Sequence, residues 1–326
     1  GDNLFVNWIK LNREKNNSQL VDLLNSGEYD IIHSHNAPDY LTVQAINAAR
    51  KSGKNIPVIQ DNHDVLTMRK TAYGSGLEDI EKTLREEMIA NQFSDARIHV
   101  TQGVMDYVVS KYGAKPGFDL VFSNFVPEKL VPINLLPKMS SKDGNIHIAY
   151  EGNVDEMPTG SHYDLLGIFD SITEQGFHLH IYTPHEASNY AKLSKKNHNL
   201  HFHGRLDPDK LLTELTKYDF GWAGFNDSKN KKHLAVTLAN KVMDYISAGL
   251  PVITFPHETQ KDFVEGNKIG LVINNIDELT ERLIGDNVEE IKKTVMKRRF
   301  DFTVEKNIGH IKKFYEKVMG MDSFKK

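Results

Sequence analysis

The chain has no cysteine in 326 residues, so neither a disulfide framework nor a thiolate metal site is available to it. That absence fits a reducing compartment, and the expected location is cytoplasmic. No run approaches the roughly 20 apolar residues that a membrane-spanning helix needs, and the first residues show no secretory signal pattern. Excess positive charge is missing as well. With 40 basic and 44 acidic residues the net charge is −4, which argues against a nucleic-acid partner held by bulk attraction. There is no P-loop, no Gly-x-Ser-x-Gly elbow and no His-Glu-x-x-His motif. Tryptophan is scarce. One of the two, Trp8, sits with Ile9, Lys10, Arg13 and Lys15 in a stretch that suits a peripheral membrane contact or an ordinary amphipathic surface helix.

What is present is ordinary for a globular protein, with 39% hydrophobic and 26% charged residues. The length exceeds what one core usually serves, so two domains are expected. Short apolar runs recur at Tyr29–His35, Pro57–Asp61, Arg97–Gln102, Phe118–Ser123, Ile146–Gly152, His178–Thr183, Leu200–Gly204, Phe220–Phe225, Pro251–Phe255 and Gly270–Asn274. Helical patterns lie between them, as at Tyr40–Lys51, Leu77–Asn91, Met105–Lys111, Tyr163–Glu174, Asp209–Lys217 and Ile276–Leu283. Such alternation predicts βαβ units and parallel sheets, an α/β architecture.

A proline- and serine-bearing break at Pro127–Asn145 reads as a linker. The expected domains are residues 1–135, 136–302 and a terminal helix within 303–326 that returns to the first lobe. Only about four strands precede the linker, so the first lobe looks incomplete, either a truncated form or a natural short one. Its opening residues, Gly1–Lys15, read as helical.

The segment Asn240–Ile253 carries the most chemistry. It predicts a helix with Lys241 and Asp244 three apart on one face, a stop at Gly249, and Pro251 opening an apolar strand. In an α/β protein such a helix borders the crevice at the carboxyl ends of the strands.

Several segments resemble, in order, the retaining GT-B glycosyltransferases of the group 1, family 4 type. Tyr29-Asp-Ile-Ile-His-Ser-His35 resembles that family's "DvvHaH" strand. The end of Ile56–Asp64 resembles its "HD" strand end, and Ile98–Tyr107 with Lys111-Tyr-Gly113 resembles "vitvSegl…yg". Asn145–Asn153, Leu200–Gly204 and Asn240–Val252 resemble the nucleotide-binding lobe. The resemblance implies two Rossmann-like lobes facing a central cleft, and transfer of a hexose from a nucleotide-diphosphate sugar to a glycan or lipid-linked acceptor. Retention, no metal and no cofactor beyond the donor are also implied. The departures are Val236 where a second glutamate often stands, Asp244 for a longer acid, and Asn153 after Gly152 in place of a basic residue. These keep open a non-catalytic GT-B-like partner subunit. An epimerase of the same fold would need an acid against the sugar C2 that the sequence does not reveal.

On this reading Asp244 accepts ribose hydroxyls, or else forms a surface pair with Lys241. The turn Gly152–Gly160 and a helix opened by Ser161 and Asp164 serve the diphosphate, with Lys241 as the nearest cation; Asn240 and Asn153 are further donor-binding candidates. Lys231 or Lys232, in a mobile loop at Lys229–His233, are further candidate cations. Gly204 and Arg205 frame the base, unless Arg205 pairs with Asp207 or Asp209. Phe225 and Asn226 line the sugar pocket. His63 is the candidate catalytic residue beside the transferred sugar, with His35 and Asp64 on the acceptor side of the cleft. Three His-x-His pairs (33/35, 178/180, 201/203) raise the question of a metal, but Asp61 and Asp64 are the only close carboxylates, and no metal is assigned.

Overall fold

The computed structural model describes residues 9–11, 16–35, 38–70, 80–285 and 287–320. Each of the ten apolar runs forms a strand: β1 Ile32–His35, β2 Val58–Asn62, β3 Ala96–His99, β4 Asp119–Val121, β5 His147–Glu151, β6 His178–Tyr182, β7 Leu200–Gly204, β8 Phe220–Trp222, β9 Val252–Thr254 and β10 Gly270–Val272. They build two parallel sheets, one ordered β1-β2-β3-β4 and the other β10-β9-β8-β5-β6-β7. Parallel strands covered on both faces must be apolar throughout, which is why these runs are continuous rather than alternating.

The two lobes differ inside. The second has one large core around Trp222, Tyr150, Tyr245, Phe169 and Phe220, all fully buried. The first has several small apolar clusters joined by buried polar groups. Fully buried Arg97 makes a bidentate pair with Asp119 at 2.6 and 2.9 Å, and Gln60 donates to Asp39 at 2.7 Å. The helix Val304–Met319 adds to that core. Its Phe314 and Val318 pack with Ile59, Ala96 and Ile98, and its start is capped by Thr303, whose hydroxyl accepts from the Lys306 amide.

Several local expectations change. The segment Lys229–His233 is not a mobile loop throughout, because a helix, Lys231–Val236, begins inside it and buries His233 and Leu234. Ser161 and Asp164 do not open a helix. They close a turn in which Ser161 donates to Asp155 and Asp164 accepts from the Gly160 amide, and the helix starts at Leu166. Ile9–Leu11 are not helical and Ile9 is 55% exposed, while Trp8, Arg13 and Lys15 lie outside the described residues. Among the described residues no helix is long and apolar enough to cross a membrane.

Candidate functional site

The second sheet reverses its strand order at β5, which is flanked by β8 on one side and β6 on the other. Crevices beyond the carboxyl end of such a strand are where α/β sheets bind ligands. Here β5 ends in Glu151, and Gly152 follows with φ +127°. A side chain at Gly152 would meet the Lys241 ammonium at 3.1 Å, so both its conformation and its bareness keep this approach open.

Lys241 comes from the helix Asn240–Ser247. That helix ends in a Schellman motif, the Leu250 amide donating to Tyr245 at 2.8 Å and the Gly249 amide to Ile246 at 2.9 Å. Gly249 at φ +77° supplies the left-handed turn. Tyr245 then ties the helix to two strand ends, accepting from the Glu151 amide and donating to the Trp222 carbonyl, both at 3.0 Å. The helix is thereby locked against β5 and β8, and Lys241 and Asp244 face inward.

Together these residues floor a cavity of about 380 Å³ between the lobes. The second lobe contributes Glu151, Gly152, Asn153, Asn240, Lys241 and Asp244. His162, Phe225 and His233 close one side, and the first lobe brings His63, Asp64 and Arg69. The lobes also touch directly: the Thr101 hydroxyl donates to the Val236 carbonyl at 2.7 Å, and Asn124 donates to Asn240 at 2.9 Å.

The electrostatics of this cavity are unusual. Burial pushes the Lys241 ammonium down to about 8, against the pull of Glu151 and Asp244. Its Nζ has no hydrogen-bond partner and lies 4.0 Å from the Tyr150 ring centroid and 5.0 Å from that of Phe225. Burial raises the carboxyl of Asp244 well above its ordinary range, reinforced by the charge of Glu151 and a hydrogen bond to it. Burial also raises Glu151, with Lys241 opposing. Two acids that share a hydrogen bond share a proton, so the pair carries about one negative charge beside one ammonium. Burial lowers His162 to about 4, with Arg69 and Lys241 adding, and lowers His233 to about 3, with Arg69 and His162 adding. Both imidazoles are therefore neutral near pH 7.

Buried polar atoms without partners concentrate here. Among the described residues they include Lys241 Nζ, Asn153 Oδ1, His233 Nδ1 and His63 Nε2, all from residues lining this cavity. The last lies 3.2 Å from Asp61 Oδ1, an ion-pair distance without hydrogen-bond geometry. Unsatisfied buried groups cost about 1–3 kcal/mol each, so such a concentration suits a ligand that supplies the missing partners.

Of the residues expected from sequence, the cavity gathers His63, Asp64, Gly152, Asn153, Phe225, Asn240, Lys241 and Asp244. It does not gather the others. Gly204 and Arg205 border a separate cavity with His185 and Phe202, because β7 is a sheet edge. Asp207 pairs with Lys210 at 3.5 Å. Asn226 donates to the Asp164 carbonyl at 3.1 Å and faces a neighbouring cavity with Lys231 and His257. His35 is exposed and bonded to Asp61 at 2.8 Å. Among the cavity's charged and imidazole side chains, four escaped the sequence reading: Glu151, Arg69, His162 and His233. Glu151 was signalled by its place at a strand end; the other three stand alone in loops or on a short helix.

Comparison with known proteins bears on the fold. Residues 165–307 match the family described as glucosyltransferase 3-like, C-terminal domain. A curated relative, glucosyltransferase 3 of Streptococcus gordonii, is 25% identical over 145 residues, 43% of this chain. The match spans 42% of that relative's length. Among solved structures, HepE from Anabaena in complex with UDP superposes with a TM-score of 0.66 at 14% identity, over 94% of this chain and 82% of that one. The sucrose-phosphate synthase of Thermosynechococcus elongatus gives 0.69 at 13% identity, over 95% and 80%. The fold is GT-B. The GT-B lobes are the two parallel sheets described above, and the glucosyltransferase 3-like region holds the helix that carries Lys241 and Asp244.

Proposed function

We infer that this GT-B protein is a glycosyltransferase that moves a hexose from a uridine diphosphate sugar to a glycan or lipid-linked acceptor. The observation that carries the reading is the convergence of Lys241 Nζ, Asn153 Oδ1 and His233 Nδ1, all buried and unpartnered, in one cavity at the end of β5. The choice of nucleotide rests on HepE, whose solved complexes contain UDP and UDP-glucose.

In this account the diphosphate lies against Lys241 and Arg69. Those two cations, one from each lobe, supply the charge that Asn153 does not provide after Gly152. The Glu151–Asp244 pair keeps its shared proton and accepts the ribose hydroxyls through its one net negative charge, in charge-assisted bonds worth roughly 1.5–3 kcal/mol each. His63 stands beside the transferred sugar. The acceptor oxygen attacks the anomeric carbon on the face that the diphosphate leaves, so configuration is retained. The bond from that carbon to the phosphate oxygen breaks, and the acceptor proton passes to the leaving phosphate. Catalysis is then positioning and stabilisation of the departing charge, with no metal required at the diphosphate.

The test is incubation with UDP-glucose and candidate glycan acceptors, with the anomeric configuration of the product read by NMR. UDP release coupled to an α-linked product supports retaining transfer. Nucleotide binding without turnover on any acceptor would favour the non-catalytic partner subunit instead.

A further inference from the structure

On β1, His33 and His35 are two residues apart and so point to the same face. The register places His35 opposite Asp61 of β2, and His63 follows two residues beyond on the same side. The result is a carboxylate ringed by imidazoles. His33 Nε2 lies 3.0 Å and His35 Nδ1 2.8 Å from Asp61 Oδ2, while His63 Nε2 lies 3.2 Å from the other oxygen. The His33, His35 and Asp61 donor atoms all lie within 4.8 Å of one another.

The geometry points to a binding site for one divalent cation of the zinc type, held by His33 Nε2, His35 Nδ1 and an oxygen of Asp61. Two imidazoles and a carboxylate are a donor set that such a cation favours, and a compact group of three leaves one position for water. An outer partner is already in place. The other ring nitrogen of His33 lies 2.6 Å from the Tyr315 hydroxyl, which would accept its N–H and fix the ring with Nε2 toward the ion. Tyr315 belongs to the helix Val304–Met319, so an ion here would tie the ends of β1 and β2 to that returning helix. It would also offset the charge of Asp61, whose other oxygen lies 3.2 Å from His63 Nε2. The site lies on the first lobe and does not depend on the reading of the nucleotide cavity.

The second lobe holds a competing set of imidazoles. His178 bonds His201 and His180 bonds His203, each at 2.9 Å across β6 and β7. That row satisfies itself ring to ring, His147 joins it through His180 at 2.9 Å, and Asp143 bonds His147 at 3.1 Å at its end.

The test is competition between the chelator-dialysed full chain and a zinc-responsive dye, using zinc alone as probe. One zinc per chain is expected, with affinity falling about 100-fold in His35→Ala and about tenfold in Tyr315→Phe. His35 is exposed, so its replacement leaves the fold intact, and circular dichroism checks this. The double variant His178→Gln/His201→Gln should bind as the parent does. Zinc binding unchanged in His35→Ala and Asp61→Asn, or lost in the second-lobe double variant, would overturn the assignment. So would binding no tighter than about 10 μM to the parent chain.

Discussion

The Lys241 ammonium lies 4.0 Å from the centroid of the Tyr150 ring, buried and without a hydrogen-bond acceptor. A ring face replaces only part of the hydration that the ammonium has lost. The group is therefore poised for an anion. Lys241→Met should weaken UDP binding about 30-fold while affecting uridine little, since uridine has no phosphate to lose. Because burial holds Lys241 near 8, diphosphate affinity should also fall as pH rises through that value, when the free protein loses the charge. Calorimetric titration with UDP and uridine at pH 7 and pH 9 measures both effects.

His63 faces the same cavity from the first lobe, at the end of β2. His63→Ala should leave the dissociation constant for UDP within about twofold and lower turnover about 100-fold, the scale of a positioned acid–base or orienting group. Equal turnover in parent and variant would remove His63 from the chemistry.

The histidine row on β5, β6 and β7 predicts sensitivity to acid. Burial lowers His178, His180 and His201, and lowers His203 to about 4. A histidine whose folded value lies below its unfolded value near 6.5 lends stability above that pH, and the stability is lost as pH falls toward the folded value. The unfolding free energy should therefore drop as pH falls from 6.5 toward 4, with buried His180 contributing most. Urea denaturation at pH 7.5 and 5 checks this, and His178→Gln/His201→Gln should show the smaller decline.

Gly221 tests how Tyr245 positions the site. A side-chain carbon at Gly221 would fall 2.2 Å from the Tyr245 ring. Gly221→Ala should cost about 2–3 kcal/mol by overpacking, and it should weaken UDP binding more than an equally destabilising change elsewhere in the core. Thermal unfolding and titration on the same samples separate the two effects.

The strands were legible because a buried parallel strand leaves a continuous apolar run, and all ten runs became strands. The helix Asn240–Ser247 was legible from its punctuation, with Gly249 and Pro251 closing it. Helices such as Asn16–Ser26 and Val288–Arg298 were not, because polar and charged residues dilute their apolar stripe. Within the cavity, Asp244 and Lys241 could be found because they share one helix. Arg69 and His233 could not, since they meet at 3.3 Å across 164 residues of sequence and neither has a local pattern. Gly204 and Arg205 were misplaced for a related reason. The strand-end rule names the right end of every strand without saying which strands border the cleft, and β7 is at the sheet's edge.

If the Glu151–Asp244 pair and Lys241 form a nucleotide-diphosphate site, removing one acid must weaken nucleotide binding. Calorimetric titration of UDP into the parent chain and into Asp244→Asn decides this. Micromolar binding to the parent is expected, with a loss of about 2 kcal/mol, roughly 30-fold, in the variant, whose fold should be undisturbed because one of two crowded acids has been neutralised. Equal affinity in parent and variant, or no binding of UDP to either, would contradict it.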